Sequence, residues 1–177
     1  KREALGSLRQ RLERDSRRFR FHSEPSVRRI SQTEWSLTLS GDGIDSRTRH
    51  LMERLFEEAW SDARRRFRLE WSNETLSSLF RFILEPEAGG RAYVSRIDSL
   101  VHLFPRGTSD TFQHEMGHVL GFKDNYYTVW APGACSYREE GNEADIMSNG
   151  GTGRVLDTHW DQLDRQYPVA PPRVPLR

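Results

Sequence analysis

Cysteine, long apolar runs and internal repeats are what this chain has least of, and each shortage excludes a class of protein. The single cysteine, Cys135, rules out a disulfide within the chain and with it a disulfide-rich scaffold. No apolar run approaches the roughly 20 residues that span a bilayer, so we expect no membrane-spanning helix. No segment recurs at a fixed spacing, which excludes a solenoid. The 177 residues, 30% of them charged, fit one globular domain with short extensions.

The two ends of the chain differ in composition from its middle. Residues 1–30 carry ten basic and four acidic residues, and the remaining 147 carry a net charge of −5. We divide the sequence into a basic arm over 1–26, a main domain over 27–167 and a proline-rich tail over 168–177. The arm spaces apolar residues at helical intervals, which predicts an amphipathic helix. We interpret its arginines as a solvated helix face rather than a nucleic-acid site, and the arm as a pro-segment or a partner-binding extension.

Alternating apolar residues predict several strands in the first half of the main domain. One covers residues 35–40, where tryptophan and leucine alternate with serine and threonine. A short strand begins near Leu69, a further run covers 80–84, and one or two strands lie within 91–104. The runs are separated by glycine- and proline-containing turns, which is typical of a mixed α+β domain.

Helical spacing of apolar residues predicts two core-packing helices. The first is long, covers residues 46–67 and takes its N-terminal cap from Asp45 or Ser46. The second covers residues 109–120 and follows the strands.

The last third of the chain is expected to be mostly irregular. Glycines and prolines are frequent after Asp124, which predicts loops rather than strands or helices. A final short helix over 157–166 is expected to turn Trp160 and Leu163 inward.

The segment from His114 to Asp124 reads HEMGHVLGFKD and begins on the helix predicted over 109–120. Histidines four positions apart lie on one face of a helix, because four residues advance it by slightly more than one turn. The imidazoles of His114 and His118 can therefore bind one Zn²⁺ together. Glu115 is placed to take a proton from a water molecule that the ion holds.

A third ligand is predicted where this helix ends. Gly121 can adopt the left-handed conformation that reverses the chain, and the reversal brings Asp124 under the ion. Two nitrogens and one oxygen leave a fourth position for water, as in a catalytic rather than a structural zinc site. The pattern gives no indication of a structural Ca²⁺ site.

This run resembles the metzincin zinc peptidases, whose extended pattern ends in a third histidine where this chain has Asp124. The aspartate variant, with Tyr126 shortly after it, is similar to the snapalysin-like group of small bacterial metzincins. The sequence DIMS at 145–148 looks like the Met-turn, the methionine loop that lies beneath the metal in that family. The resemblance is specific over 108–153 and weaker over 27–107.

The resemblance implies a zinc-dependent endopeptidase, acting on a protein or peptide substrate. It implies a metzincin-like fold, with a twisted mixed sheet and long helices above the metal and an irregular lower subdomain that ends in a C-terminal helix. A strand within 91–104 would be the sheet edge on which an extended peptide adds. Such peptidases are usually exported, so a secreted or cell-envelope location is expected.

Residue roles also follow from the resemblance. His114, His118 and Asp124 would be the zinc ligands, and Met147 would form a hydrophobic floor beneath them. Glu115 would take a proton from the zinc-bound water and pass it to the leaving amine, while zinc shares the oxyanion charge.

At one position this chain differs from the family, and the difference means that another residue has to stabilise the oxyanion. Many metzincins carry a tyrosine two residues after the Met-turn methionine, and this chain has Asn149 there. The candidates that remain are Tyr126 and Tyr127, which follow the third ligand.

Three other interpretations stay open. A gluzincin-type site would take its third ligand from a later glutamate, for which Glu143 is the candidate. A non-catalytic binding module would use the arginine-rich arm to hold an anionic partner, although the presence of Glu115 argues against it. A latent zymogen would place the arm or Glu24 over the metal. The sequence does not indicate the oligomeric state or the cleavage specificity.

Overall fold

The computed structural model describes most of the main domain. The described ranges are residues 21–74, 78–86, 90–105, 107–149 and 151–169. The helix predicted for the basic arm and most of the proline-rich tail lie outside these ranges. No helix within them has the length and apolar character needed to cross a bilayer.

The described residues form eight strands and three α-helices, so the fold class is α+β, as predicted. The strands are β1 (Val27–Arg29), β2 (Glu34–Ser40), β3 (Arg66–Ser72), β4 (Arg81–Leu84), β5 (Tyr93–Ser95), β6 (Leu100–Leu103), β7 (Tyr126–Ala131) and β8 (Ser136–Gly141). The helices are α1 (Ser46–Ala59), α2 (Ser109–Leu120) and α3 (Asp157–Gln166).

The first sheet has the strand order β1-β2-β3 and contains both pairing modes. β1 runs antiparallel to β2, whereas β3 runs parallel to it, so that Trp35 lies opposite Phe67. The strand predicted over 35–40 is confirmed, and Leu37 and Leu39 on it are fully buried. Helix α1 makes the connection between the two parallel strands, as a parallel pair requires.

Helix α1 is shorter than the prediction of 46–67. Asp45 caps it as expected, because its carboxylate accepts the backbone N–H of Thr48 at 3.0 Å. The helix ends at Ala59, and Asp62 then accepts the backbone N–H groups of Arg64 and Arg65 in a tight turn. That local hydrogen bonding competes with helix continuation, and the apolar residues beyond it belong to β3.

The second sheet has the order β4-β6-β5, with β5 at one edge. β4 is parallel to β6, and β5 is antiparallel to β6. The strands predicted to form one twisted mixed sheet are divided between these two mixed three-stranded sheets, and the two remaining described strands, β7 and β8, form a separate antiparallel pair. A backbone hydrogen bond of 3.0 Å from Ser40 N–H to the Phe80 carbonyl links the end of β2 to the start of β4.

Helices α2 and α3 lie at the positions predicted for them. The bounds of α2 are the predicted 109–120 and those of α3 the predicted 157–166. Trp160 and Leu163 are buried as predicted, and the Trp160 ring lies 5.2 Å from that of Trp35 between ring centroids. α3 thus packs against the first sheet and completes the core there.

The expectation of irregular structure after Asp124 is wrong for residues 126–141. β7 and β8 pair antiparallel over six residue pairs, and a 3₁₀ turn at Pro132–Ala134 joins them. Aromatic and β-branched residues favour an extended backbone in β7. Within residues 126–141, the proline and glycines that predicted loops lie in the turn (Pro132 and Gly133) and at the last residue of β8 (Gly141).

Candidate metal and catalytic centre

Helix α2 is held in a fixed orientation by its apolar face. Phe112, Met116, Val119 and Leu120 are buried in the core, and Thr108 caps the first turn by accepting the N–H of Thr111. The same helix therefore points its remaining buried face, with His114 and Glu115, at a cleft rather than at solvent.

The helix ends where the sequence predicted. Gly121 has φ = +113°, and its N–H bonds back to carbonyls of the last helical turn. A Cβ at this position would overlap the carbonyl of His22, so glycine is required on steric as well as conformational grounds. The chain reverses at this point, and the reversal brings Asp124 back beside the helix.

Three side chains converge after that reversal. Asp124 Oδ1 lies 3.2 Å from His114 Nε2 and 3.4 Å from His118 Nε2. One ligand atom from each residue lies within 4.8 Å of the other two. Ligands about 2.0–2.1 Å from a tetrahedral ion are separated by roughly 3.3 Å, so the spacing suits a zinc-sized cation.

Hydrogen bonds fix which ring nitrogen of each histidine faces the cluster. His114 Nδ1 lies 2.7 Å from the Ile146 carbonyl, and His118 Nδ1 lies 3.0 Å from the Phe122 carbonyl. A carbonyl oxygen only accepts, so each Nδ1 carries the hydrogen and each neutral ring turns the lone pair of Nε2 inward. Two lone pairs facing a carboxylate form a site for a cation.

The pKa shifts of the clustered side chains also indicate a site for a cation. Burial opposes ionisation of Asp124, but His114 and His118, when their rings carry a second proton on Nε2, donate to this carboxylate and attract it. Their effect outweighs burial and holds the pKa of the Asp124 carboxyl well below its usual range. Burial lowers the pKa of His114, but the Asp124 carboxylate and the Ile146 carbonyl outweigh it and raise that pKa. Positive charge is therefore stabilised at the point where the three side chains meet.

Two of the buried side-chain oxygens without a hydrogen-bond partner among the described residues lie at this cluster. They are Asp124 Oδ1 and Glu115 Oε2, both beside the imidazoles. Buried polar atoms are normally satisfied, so such atoms call for an ion or water. The residues present therefore fit a divalent metal with a water molecule beside Glu115. Burial is also the main reason that the pKa of Glu115 is raised, with both histidines opposing the shift.

Met147 lies beneath the ligand helix. It is almost fully buried, and a Cβ on Gly117 would overlap its sulfur. Gly117 precedes the second histidine, so the methionine packs directly under the segment that carries both imidazoles. The sequence analysis did not single out Gly117, although its place inside the motif was a usable signal.

The two candidate tyrosines begin strand β7 and both line the cleft. Arg91 donates to the Tyr126 hydroxyl at 3.0 Å and lies 3.7 Å from the Glu139 carboxylate. Tyr127 is 60% exposed, and no side-chain hydrogen bond to it is found within the described ranges. The geometry therefore favours Tyr126 over Tyr127 as an ordered group beside the cluster. The sequence analysis missed Arg91, which lies 35 positions from Tyr126.

The cleft has a volume of about 1100 Å³ and a strongly polar lining. Its floor contains His114 and Glu115, and its wall contains residues of the β7–β8 hairpin together with Asn149. Glu143 also lines the cleft but is exposed, and it is not part of the three-residue cluster found among the described residues.

Glu24 is not one of the three residues that cluster at the candidate metal position among the described residues. Its carboxylate pairs with Arg96, and its backbone N–H donates to the Tyr167 hydroxyl at 2.7 Å. Phe21, just before it, packs edge-on against Phe122 with ring centroids 5.0 Å apart. Through these contacts, this part of the arm packs on the main domain.

Comparisons with known proteins do not extend these observations. No protein family, curated protein or solved structure matches the chain at a significant level. The residues of the site and their arrangement are therefore what indicates the function of this chain.

Proposed function

We propose that this chain is a zinc-dependent endopeptidase of metzincin type. The observation that carries the proposal is the convergence of two histidine Nε2 atoms and one Asp124 oxygen beside the buried Glu115. A purely structural zinc site is usually closed by four protein ligands, whereas this cluster has three and opens on a cleft.

The ligand set suits zinc, with His114, His118 and Asp124 as the residues that would hold the ion. Bound there, Zn²⁺ would lower the pKa of a coordinated water molecule to about 7 and polarise a substrate carbonyl. The backbone carbonyls that hold each Nδ1 keep both rings in the ligating tautomer.

Glu115 is the proposed proton carrier. Its unsatisfied Oε2 can accept a proton from the attacking water, and the raised pKa of the carboxyl then lets it deliver that proton to the departing amine nitrogen. Tyr126 is the proposed donor to the developing oxyanion. The Arg91 guanidinium holds the phenol oxygen and leaves its O–H free to donate.

Strand β5 is the proposed docking edge for an extended substrate. It is the edge strand of its sheet, and Tyr93 and Val94 line a groove with His114 and His118. A peptide added there as another strand would pass over the cluster, with its backbone N–H and C=O groups paired to β5.

The test combines metal analysis with cleavage of a peptide library by the full chain. We expect one zinc per chain and cleavage products resolved by mass spectrometry. Glu115→Gln should retain zinc and lose activity by about 10²- to 10⁴-fold, the usual contribution of general acid–base catalysis. Glu143→Gln, which alters an exposed glutamate of the same cleft, should retain both.

Two results would contradict the proposal. Unchanged cleavage by Glu115→Gln would remove the catalytic assignment. Loss of zinc from Glu143→Gln, with zinc retained after substitution of Asp124, would move the third ligand to the gluzincin position.

A further inference from the structure

A second buried pair of titratable side chains lies behind the candidate centre and takes no part in the ligand set. Asp145 is 3% exposed and His159 is 6% exposed, and their Oδ1 and Nε2 atoms are 3.1 Å apart. They come from different parts of the fold. Asp145 precedes the turn that contains Met147 (residues 146–148, here called the Met147 loop), and His159 lies in the first turn of α3.

The contacts around His159 fix its tautomer, that is, which ring nitrogen carries the hydrogen. Its Nδ1 accepts the backbone N–H of Leu156 at 2.8 Å, so this nitrogen carries a lone pair. The hydrogen of the neutral ring is then on Nε2, where it donates to Asp145. A neutral histidine and an ionised aspartate satisfy every contact of the pair.

Asp145 in turn binds both chain segments that support the ligands. Its Oδ1 accepts the N–H of Met147 and its Oδ2 accepts the side-chain amide of Asn125, each at 2.8 Å. Asn125 also donates its backbone N–H to the Met147 carbonyl at 2.8 Å. The carboxylate therefore clamps the Met147 loop to the residue that follows Asp124.

Each of the three proposed ligands is connected to the Asp145–His159 pair through one intervening residue. Ile146, which follows Asp145, supplies the carbonyl that orients His114. Asn125 follows the ligand Asp124. Phe122, whose carbonyl orients His118, packs edge-on against the His159 ring with centroids 5.0 Å apart.

We propose that His159 is a positioning residue for the metal centre, acting from helix α3 through Asp145 on His114 and Asp124 and through Phe122 on His118. This inference rests on the proposed zinc site and adds an outer layer to it. Such outer contacts usually change metal affinity by about 10- to 100-fold. Without the His159 donor, the buried Asp145 carboxylate lacks one of its three partners, and the Met147 loop loses the restraint that aims the Ile146 carbonyl.

A merely structural role for His159 would have a different signature. It would lower the stability of the fold without changing the zinc affinity of the folded protein. The experiment must therefore measure zinc affinity and thermal stability of the metal-free chain separately.

The test compares three variants of the full chain by chelator competition for Zn²⁺ and by thermal unfolding. His159→Phe keeps a ring but removes the donor, and we expect zinc affinity to fall by about 10- to 100-fold. His159→Gln keeps an amide N–H near the position of Nε2 and should recover much of that loss. Leu163→Ala, a buried neighbour on α3, should lower the melting temperature and leave zinc affinity unchanged.

The outcomes separate this inference from the proposed function. If the unmodified chain binds no zinc, the proposed function and this inference both fail. If the unmodified chain binds zinc and His159→Phe binds it equally well, only the positioning role is wrong. Where His159→Phe does not fold, Asp145→Asn replaces it, and unchanged zinc affinity in that variant overturns the inference in the same way.

Discussion

Helix α2 and the β7–β8 hairpin border the same cleft, yet they differ in almost every physical respect. Seven of the twelve residues of α2 are buried, and none of the hairpin strands' residues is. The helix carries both histidines and Glu115, whereas the hairpin presents Tyr126 and charged side chains. In the proposed peptidase, the two histidine ligands and the proton carrier would lie on the buried helix, and the exposed hairpin would supply side chains that face the substrate.

Asp124 lies between these two regions and belongs to both. It follows the glycine that ends α2 and precedes the first strand of the hairpin. Its neighbour Asn125 holds this part of the chain in place, because its side-chain amide donates to Asp145 and its backbone N–H donates to the Met147 carbonyl. Substitutions in the helix should therefore abolish peptidase activity, and substitutions in the hairpin should reduce it only in part.

The largest contrast is expected for metal binding. His118→Ala should reduce zinc affinity by more than about 10²-fold and abolish cleavage, because structural zinc sites bind their ion with roughly 10–16 kcal/mol and His118 is one of only three proposed protein ligands here. Glu139→Ala on the hairpin should leave the affinity unchanged, as measured by chelator competition. Equal losses in both variants would mean that the division between the two regions is wrong.

A smaller effect is expected for the paired tyrosines. Tyr126→Phe removes the hydroxyl that Arg91 orders, and we expect kcat/KM to fall by about 10²-fold, the usual cost of one oxyanion donor. Tyr127→Phe is the matched control and should leave the rate near that of the unmodified chain. The assignment is reversed if Tyr127→Phe proves the slower enzyme in steady-state peptide cleavage.

Packing beneath the helix gives the third test. Gly117→Ala places a methyl group against the Met147 sulfur, and overpacking of this kind costs about 1–3 kcal/mol. Gly133→Ala in the hairpin turn meets no atom within 4 Å and should be nearly neutral. Denaturant unfolding measures both free energies, and similar values would argue against close packing of Met147 under α2.

The smallest effect concerns acid stability. Burial opposes ionisation of Asp145, but hydrogen bonds from His159, Asn125 and the Met147 N–H outweigh it and hold the pKa of this carboxyl below its ordinary value. An acid with a depressed pKa stabilises the fold above the unfolded value and loses that contribution as pH falls below it.

Asp145→Asn therefore tests the buried network without altering a ligand. The difference in unfolding free energy between the unmodified chain and this variant should be largest above about pH 5 and should narrow as pH falls below about 4. A difference that stays constant over this range would show that the Asp145 charge adds nothing to stability. Urea titrations at several pH values measure it.

The sequence predicted the helix of the site better than its surroundings. The spacing of His114 and His118 and the stop at Gly121 are local features, so α2 could be placed at its observed bounds. The chain reversal that brings Asp124 beside the helix could be predicted from Gly121 as well, because it depends on the conformation of that one residue. Its ligand role remains a prediction, although the distances suit it.

Features that depend on distant contacts could not be predicted. Helix α1 was extended too far because Phe67 fits helical spacing as well as strand alternation, and only its pairing opposite Trp35 decides between them. The hairpin was missed because its turn residues resemble those of a loop. The contact between Asp145 and His159 joins a loop to a helix, and no local pattern marks it.

The exposed turn of the hairpin contains the sole thiol of the sequence, Cys135, in a left-handed conformation with φ = +50°. A maleimide dye can therefore label this chain at one defined point without any engineered mutation. The label would sit at the tip of the hairpin, on a residue that does not line the cleft. Its fluorescence anisotropy would report directly whether the hairpin stiffens when a peptide enters.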